Sequence, residues 1–171
     1  MLRVGLRALA DGPVETAAIV EADDPLLDDL DFELSEPLAV RGRLMDSGPG
    51  RYYWKGTLET VVAAACRRCL GPVSVSVAAD IEVLFTAEDP GDDPATYQIE
   101  QGSAELVLDD MVREELLLAV PEYVLCREDC AGLCAQCGKD LNEGPCSCVP
   151  APDPRWDGLR ALEQREPDNE R

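Results

Sequence analysis

Cysteine is the residue type whose number and spacing in this chain most strongly indicate chemistry. The 171 residues include eight cysteines and no histidine. The cysteines form four close pairs: Cys66 and Cys69, Cys126 and Cys130, Cys134 and Cys137, and Cys146 and Cys148. A structural zinc site takes four ligands, and a CxxC turn presents two thiolates to one metal ion. The count therefore predicts two all-cysteine Zn²⁺ sites.

Spacing favours one assignment of these pairs but leaves another open. In the preferred assignment, Cys134, Cys137, Cys146 and Cys148 form a local site, and Cys66, Cys69, Cys126 and Cys130 form a second. The competing assignment joins the two CxxC turns in one ribbon-like site. A redox-active dithiol at Cys66 and Cys69 is a further alternative, but no thioredoxin-like βαβ pattern surrounds this pair.

The predicted zinc sites are structural, and the sequence contains no pattern typical of an enzyme. Four thiolates complete the zinc tetrahedron and leave no position for water or substrate. The lack of histidine excludes imidazole-based catalysis. The segment from Gly132 to Lys139 has neither the spacer nor the hydroxyl residue of a phosphate-binding loop. We therefore expect no catalytic residues and no small-molecule substrate.

The elements that must position the cysteines are predominantly strands. Residues 38–45 and 51–63 flank a turn-forming stretch, and residues 73–85 alternate between apolar and polar side chains. Cys66 and Cys69 then lie in a hairpin turn between two strands. Shorter strands are predicted at about residues 2–9 and 13–21, and residues 87–95 form a loop.

One helix follows the strands and ends before the remaining cysteines. Leu108, Met111, Val112 and Leu116 recur at helical spacing, and Pro121 ends the run. The prediction is an α+β protein with an antiparallel sheet or partly open barrel as its core, one packed helix and a C-terminal zinc-binding cysteine module. We divide it into a core domain (residues 1–124), the cysteine module (125–148) and a linker, short helix and polar tail (149–171).

Charge is distributed unevenly along the chain, whose formal net charge is −20. Residues 21–36 contain eight acids and no base, whereas residues 37–79 contain six basic residues and two acids. Period-two alternation places the basic side chains of the hairpin on one face, opposite an apolar face. The residues of this basic face, with two neighbours in the first CxxC turn, are Arg41, Arg43, Arg51, Tyr53, Lys55, Arg67 and Arg68.

The location of the protein is predicted from two absences in the sequence. No apolar run approaches the roughly 20 residues of a membrane-spanning helix, and the first seven residues contain no apolar signal-peptide core. We expect a cytoplasmic protein without a membrane partner. Thiols remain reduced in that compartment, which favours metal ligation over disulfides.

The motifs from residue 66 onward resemble those of the YceD family, the large ribosomal RNA subunit accumulation proteins. The matching stretches are Cys-Arg-Arg-Cys-Leu at 66–70, Glu-Glu-Leu-Leu-Leu-Ala-Val-Pro at 114–121, the cysteine-rich tail at 125–148, and Asp-Pro-Arg-Trp at 153–156 followed by Leu159 and Leu162. The resemblance implies a bacterial factor for the synthesis, processing or stability of large-subunit ribosomal RNA, without known catalytic residues.

Two kinds of contact with a partner molecule are compatible with such a role. In the first, the basic face binds large-subunit ribosomal RNA or its precursor, because guanidinium groups contact phosphates and tyrosine stacks on bases. In the second, the chain is an acidic adaptor, and residues 21–36 bind a basic ribosomal protein.

Overall fold

A six-stranded sheet forms the centre of the computed structural model, which describes residues 2–149 and Arg155. Most of the described structure is sheet, with one main helix, so the chain is an α+β protein. The helices and strands are β1 (Arg3–Gly5), β2 (Val14–Val20), β3 (Glu33–Leu34), β4 (Leu38–Asp46), β5 (Arg51–Ala65), β6 (Pro72–Thr86), β7 (Thr96–Gln98), β8 (Glu105–Val107) and α1 (Asp109–Ala119), with 3₁₀ helices at Leu6–Asp11, Pro25–Leu27 and Leu141–Glu143.

The large sheet has the strand order β2-β4-β5-β6-β7, and β3 also pairs with β5. Its pairs are antiparallel except that β7 runs parallel to β6. The predicted antiparallel sheet therefore includes one parallel edge strand. The cause is the loop after β6, which brings the chain back to the same end of the sheet before β7 begins. A separate two-stranded sheet joins β1 to β8.

The long hairpin β5-β6 carries the first CxxC turn. Its register runs from Arg51 opposite Thr86 to Ala65 opposite Pro72. The predicted hairpin turn at residues 66–71 is therefore confirmed. Because both strands extend for 15 residues, this turn projects from one end of the sheet.

The predicted inner face of the sheet is confirmed by burial. Val40, Leu44, Trp54 and Leu58 are each at most 1% exposed. The Trp54 ring lies directly against the backbone of the glycines in the neighbouring strand positions, and its Nε1 donates to Thr16 Oγ1 at 2.9 Å. Only residues without a side chain leave room for the indole there.

Helix α1 covers this apolar face with Met111, Val112 and Leu116, all buried. Arg113 ties the helix to the acidic segment, because its guanidinium donates to the carbonyl oxygens of Leu26 and Asp28.

The N-terminal strand is shorter than predicted. Only Arg3–Gly5 is extended, since the chain then turns into the 3₁₀ helix Leu6–Asp11 and buries Leu9. The predicted linker, short helix and tail at 149–171 lie outside the described residues, apart from Val149 and Arg155. Among the described residues, no helix is both long and apolar enough to cross a membrane.

Candidate metal centres

The first CxxC turn has the backbone geometry of a metal-binding knuckle. The N–H of Cys66 donates to the carbonyl of Gly71, and the N–H of Leu70 donates to the carbonyl of Cys66, both at 2.8 Å. The turn closes through a left-handed residue, Leu70, at φ 59°. It therefore directs the side chains of Cys66 and Cys69 toward the same point.

The second CxxC turn repeats this geometry. The N–H of Cys134 donates to the carbonyl of Lys139 at 2.8 Å, and the N–H of Gly138 donates to the carbonyl of Cys134 at 2.9 Å. Gly138 occupies the position equivalent to Leu70 and has φ 72°. The two turns are thus the same local structure, one at the end of a long hairpin and the other in the cysteine module.

Within the described residues, the eight cysteines come together in two groups of four. Site 1 consists of Cys66, Cys69, Cys126 and Cys130, and site 2 of Cys134, Cys137, Cys146 and Cys148. All sulfurs within a group lie within 4.8 Å of one another. This grouping is the assignment preferred from the sequence, and the two CxxC turns do not share a site.

The sulfur separations in site 1 suit a tetrahedral zinc ion. Cys66 Sγ and Cys130 Sγ are 3.8 Å apart, and Cys69 Sγ and Cys126 Sγ are 3.7 Å apart. A tetrahedron with Zn–S bonds of about 2.3 Å has sulfur–sulfur edges of about 3.8 Å. Disulfide bonds would need sulfurs about 2 Å apart, and all eight cysteines are free. The thiolate set and its spacing therefore fit zinc.

Each group of four cysteines combines a thiol whose pKa is lowered with another whose pKa is raised. The pKa of Cys66 is lowered to about 6, mainly because the backbone N–H groups of Cys126 and Cys69 face its sulfur. The pKa of Cys126 is raised to about 12, first because it shares a hydrogen bond with the Cys130 sulfur and then because of burial. One sulfur is thus prepared as a thiolate, while another holds a proton that a bound dication would displace.

Site 2 has the same electrostatic pattern. Backbone N–H groups of Cys137 and Gln136 lower the pKa of Cys134 to about 6, and the Gln136 N–H lies 3.4 Å from the Cys134 sulfur. The pKa of Cys148 is raised to about 12, chiefly by its hydrogen bond with Cys137. Lys139 closes the loop around this site by donating to the carbonyl of Pro145 at 3.0 Å.

Two side chains outside the ligand set hold site 1 together. Arg68 Nη1 donates to the carbonyls of Glu128 and Cys130 at 3.1 and 2.9 Å. Asn142 Oδ1 accepts from the Ala131 N–H at 2.8 Å, and its Nδ2 lies 3.5 Å from the Cys130 sulfur. Sequence reasoning assigned Arg68 to RNA binding and gave Asn142 no role. The sequence signals for Asn142 were its position between two cysteine pairs and its place in the family-like cysteine-rich tail at 125–148.

The predicted basic face is assembled, but neighbouring strands add acids to it. Arg43 Nε lies 2.6 Å from Glu15 Oε1 on β2, and Lys55 Nζ lies 2.5 Å from Glu82 Oε1 on β6. Asp80 on β6 pairs with Thr57 on β5, two residues along each strand from the pair of Lys55 and Glu82. Glu82 also raises the pKa of Tyr53, chiefly through a hydrogen bond. The positive charge of residues 37–79 is therefore partly balanced once the sheet forms.

The other residues of the predicted RNA surface lie apart from these pairs. Arg41 and Arg51 are exposed on the same outer face. Arg67 lies at the end of the hairpin instead, where its guanidinium carbon is 3.9 Å from the centre of the Tyr123 ring. Arg67 and Arg68 thus lie in the CxxC turn, and the other five residues lie in β4 and β5.

Comparison with known proteins identifies the family of the chain. The family model described as "Large ribosomal RNA subunit accumulation protein YceD" matches residues 54–163. This match covers most of the chain, including both CxxC turns, α1 and all eight cysteines. The chain belongs to the YceD family.

Curated relatives of this YceD chain include proteins from bacteria and plants. Uncharacterised proteins of Mycobacterium bovis and Mycobacterium tuberculosis are each 34% identical over 104 residues, which covers 59% of this chain and 50% of the relative. The maize chloroplastic YCED homolog 1, named a large ribosomal RNA subunit accumulation protein, is 24% identical over 132 residues and is covered to 45%. The chain spans about half the length of the curated relatives it matches. No solved structure matches it significantly.

Proposed function

We propose that this chain is a non-catalytic factor that supports the synthesis, processing or stability of large-subunit ribosomal RNA and ribosome assembly. The observation that carries the proposal is the YceD match over residues 54–163. The printed name of the maize relative refers to the same RNA. The cytoplasm is the proposed place of action, since ribosome assembly in bacteria occurs there.

The proposed cofactors are two structural Zn²⁺ ions, one in each group of four cysteines. Support comes from the convergence of four sulfurs within 4.8 Å in both groups. When bound, each ion would neutralise part of the thiolate charge and cross-link its four ligands. Because thiolates supply all four ligands, no coordination position is left for a substrate, and this supports the non-enzymatic assignment.

The proposed domain division places the core at residues 1–124, the cysteine module at 125–148 and the tail at 149–171. Site 1 would link the first two parts, since Cys66 and Cys69 belong to the core and Cys126 and Cys130 to the module. Backbone hydrogen bonds reinforce this link, with the N–H of Leu133 donating to the carbonyl of Arg68 at 2.9 Å. The module would therefore be held rigidly against the hairpin.

One proposed contact is direct binding of RNA by Arg41, Arg43, Arg51, Tyr53 and Lys55, together with Arg67 and Arg68. Exposed arginines and a partly exposed tyrosine support this contact. Charge reversal at Arg41 and Arg51, which leaves the Arg43–Glu15 pair intact, is expected to weaken RNA binding. Unchanged RNA affinity in that folded variant would contradict this surface.

The second proposed contact is with a basic ribosomal protein. The charge pairs of Arg43 with Glu15 and of Lys55 with Glu82 favour this alternative, because they reduce the cationic character of the sheet face. The acidic residues of segment 21–36 are mostly exposed. Neutralising Asp28, Asp29 and Asp31 should then weaken capture of the protein partner, and binding should fall as salt is raised.

The experiment that distinguishes these contacts is ultraviolet crosslinking of the tagged protein in growing cells, with sequencing of the attached RNA. Enrichment of one region of large-subunit ribosomal RNA, with crosslinked peptides within residues 37–79, would support direct binding. Ribosomal proteins that co-purify after ribonuclease treatment, without RNA enrichment, would support the adaptor. Depletion of the protein without loss of large-subunit ribosomal RNA would contradict the proposed function as a whole.

A further inference from the structure

A groove lies beside site 1, between the acidic segment and the chain that leads to the module. It has a volume of about 510 Å³. Residues 62–65 at the end of β5 line one side, and residues 120–122 and Val124 after α1 line the other. Asp31, Phe32 and Leu117 complete the lining. The groove is therefore built from elements that meet only in the folded protein.

The lining of the groove is apolar with an acidic rim. Val120 and Val124 present partly exposed aliphatic surface beside the buried Val62, and Leu117 remains 47% exposed. Among the described residues, the lining contains two charged side chains, Asp31 and Glu122, and no lysine or arginine. A half-exposed leucine in such a groove gains free energy when a partner's apolar side chain covers it.

Two arginines near the groove walls in the sequence interact with other groups of the protein. Arg113 donates to the carbonyls of Leu26 and Asp28. Arg67 lies over the ring of Tyr123. The acidic rim is thus left for a cationic partner, and complementary charge of this kind provides specificity and speeds association.

Both walls of the groove end at ligands of site 1. Ala65 is followed directly by Cys66, and Val124 lies two residues before Cys126. A hydrogen bond of 2.9 Å from the N–H of Arg67 to the carbonyl of Val124 joins the walls at this end. Metal at site 1 would therefore fix the separation of the walls.

We propose that this groove binds a short lysine- or arginine-rich protein segment that carries bulky apolar side chains, and that metal at site 1 is required for tight binding. The apolar side chains occupy the space beside Leu117, and the cations face Asp31 and Glu122. The inference rests on the proposed role in ribosome assembly, where it names the surface and the chemistry of a basic protein partner.

The test measures binding of a labelled synthetic peptide, in which lysines flank two adjacent leucines, to the full zinc-loaded chain by fluorescence anisotropy. Leu117→Lys is expected to weaken binding about tenfold, because it removes apolar contact and adds a like charge. The matched control is Leu118→Lys, on the same helix turn, where the leucine is 81% exposed and does not line the groove. It should change the affinity by less than about twofold.

The acidic rim is tested by the double variant Asp31→Asn with Glu122→Gln, which should weaken binding of the peptide about fivefold. The control pair, Asp92→Asn and Glu100→Gln, makes the same charge change away from the groove. Peptides with serine in place of both leucines should bind no more tightly than a lysine-only peptide. This comparison needs no protein variant and therefore does not depend on folding.

The metal requirement is tested by comparing Cys126→Ser with Cys137→Ser, two exposed cysteines in different sites. Binding should be lost with the site 1 variant and retained with the site 2 variant. Equal affinities for Leu117→Lys and Leu118→Lys, or for the two cysteine variants, would overturn the inference. The inference would also be overturned if Leu117→Lys lost binding of a labelled single-stranded RNA while its affinity for the peptide stayed unchanged. That result would assign the groove to RNA.

The same variants separate this inference from the proposed function. Cells depleted of the protein are expected to lose large-subunit ribosomal RNA. If Leu117→Lys restores this RNA to the same level as Leu118→Lys does, the groove is rejected as a binding site and the proposed function stands. If depletion leaves the RNA unchanged while the peptide still binds the groove, the function is rejected and the binding surface stands.

Discussion

At the scale of single residues, the position after the second cysteine of each knuckle has a left-handed backbone. Leu70 and Gly138 have φ of 59° and 72°, and both donate to the carbonyl of the first cysteine of their turn. Glycine adopts this conformation without steric cost, whereas an L-residue is strained by about 1–2 kcal/mol. The knuckle at the end of the hairpin therefore carries a strain that the module knuckle avoids.

We predict that Gly138→Val destabilises the zinc-loaded protein by about 2 kcal/mol, because a β-branched side chain fits the left-handed region poorly. Within the part of the chain that the structure describes, no atom beyond the adjacent residues lies within 4 Å of the position a Cβ would take, so a clash does not contribute. Gly138→Asn is the control and should cost less, since asparagine tolerates this region. Chemical denaturation measures both, and equal costs would contradict the conformational explanation.

Arg68 is predicted to control metal retention at site 1. Arg68→Ala removes the donors to the carbonyls of Glu128 and Cys130, and two charge-assisted hydrogen bonds at a partly exposed site contribute about 1–2 kcal/mol. Zinc should therefore leave site 1 about tenfold faster, as measured by transfer to a chromogenic chelator. Arg67→Ala is the matched control, because Arg67 contacts Tyr123 instead. Similar release rates for both variants would reject this role.

At the scale of elements, the pairing of β4 with β5 depends on glycines beneath a tryptophan. A Cβ on Gly42 would lie 2.3 Å from the Trp54 ring, and one on Gly56 would lie 2.3 Å from the Arg41 carbonyl oxygen. Trp54 is fully buried and hydrogen-bonded to Thr16, so its ring has no alternative position without loss of that bond. The strand pair can close only if these two positions lack side chains.

We predict that Gly42→Ala lowers the free energy of unfolding by about 3 kcal/mol, through overpacking against Trp54. Gly5→Ala is the control, because Gly5 also lies in a strand but, among the described residues, has no atom beyond its chain neighbours within 4 Å of where a Cβ would lie. That change should be neutral within about 0.5 kcal/mol. The two variants are compared by urea denaturation, and equal midpoints would show that the indole relaxes freely.

At the scale of the whole molecule, the two candidate sites differ in the length of chain they close. Site 1 joins residues that are 64 positions apart, since Cys66 lies beside Cys130. Site 2 closes only the segment from Cys134 to Cys148. A cross-link restricts the unfolded chain more when it closes a longer loop. Metal at site 1 should therefore contribute to the stability of the entire sheet.

Loss of one ligand is expected to reveal this difference. Cys126→Ser should lower the Tm of the sheet by about 10 °C, since a loop of this length contributes about 4 kcal/mol and each kcal/mol corresponds to about 2–4 °C. Cys137→Ser, at a cysteine that is also exposed but belongs to site 2, should lower the Tm much less. Fluorescence of the buried Trp54, in a Trp156→Phe background, reports the sheet alone. Equal shifts in Tm for the two variants would contradict a larger contribution of site 1 to the stability of the sheet.

The long-hairpin strands, the helix and the hairpin position of the first knuckle were predicted from sequence. These features depend on local periodicity and turn chemistry, which a short window of sequence contains. The eight cysteines were recognised as candidate ligands from their spacing, and the grouping in the structure is the preferred one of two assignments that the sequence left open. The short strands β7 and β8 were missed, because three residues form a strand only when a neighbouring strand supplies the hydrogen bonds.

Tertiary structure alone decided what surrounds the predicted residues. Glu15 and Glu82 are far from Arg43 and Lys55 in sequence, yet the register of the sheet places them in salt bridges. Arg68 reaches the carbonyl of Cys130 across 62 positions because the cysteine module packs against the turn at the end of the hairpin. The residue types and spacing thus determined the knuckles and the family. The electrostatics of the sheet face and the groove beside site 1 arose only when distant segments packed together, because these depend on distances that no local pattern encodes.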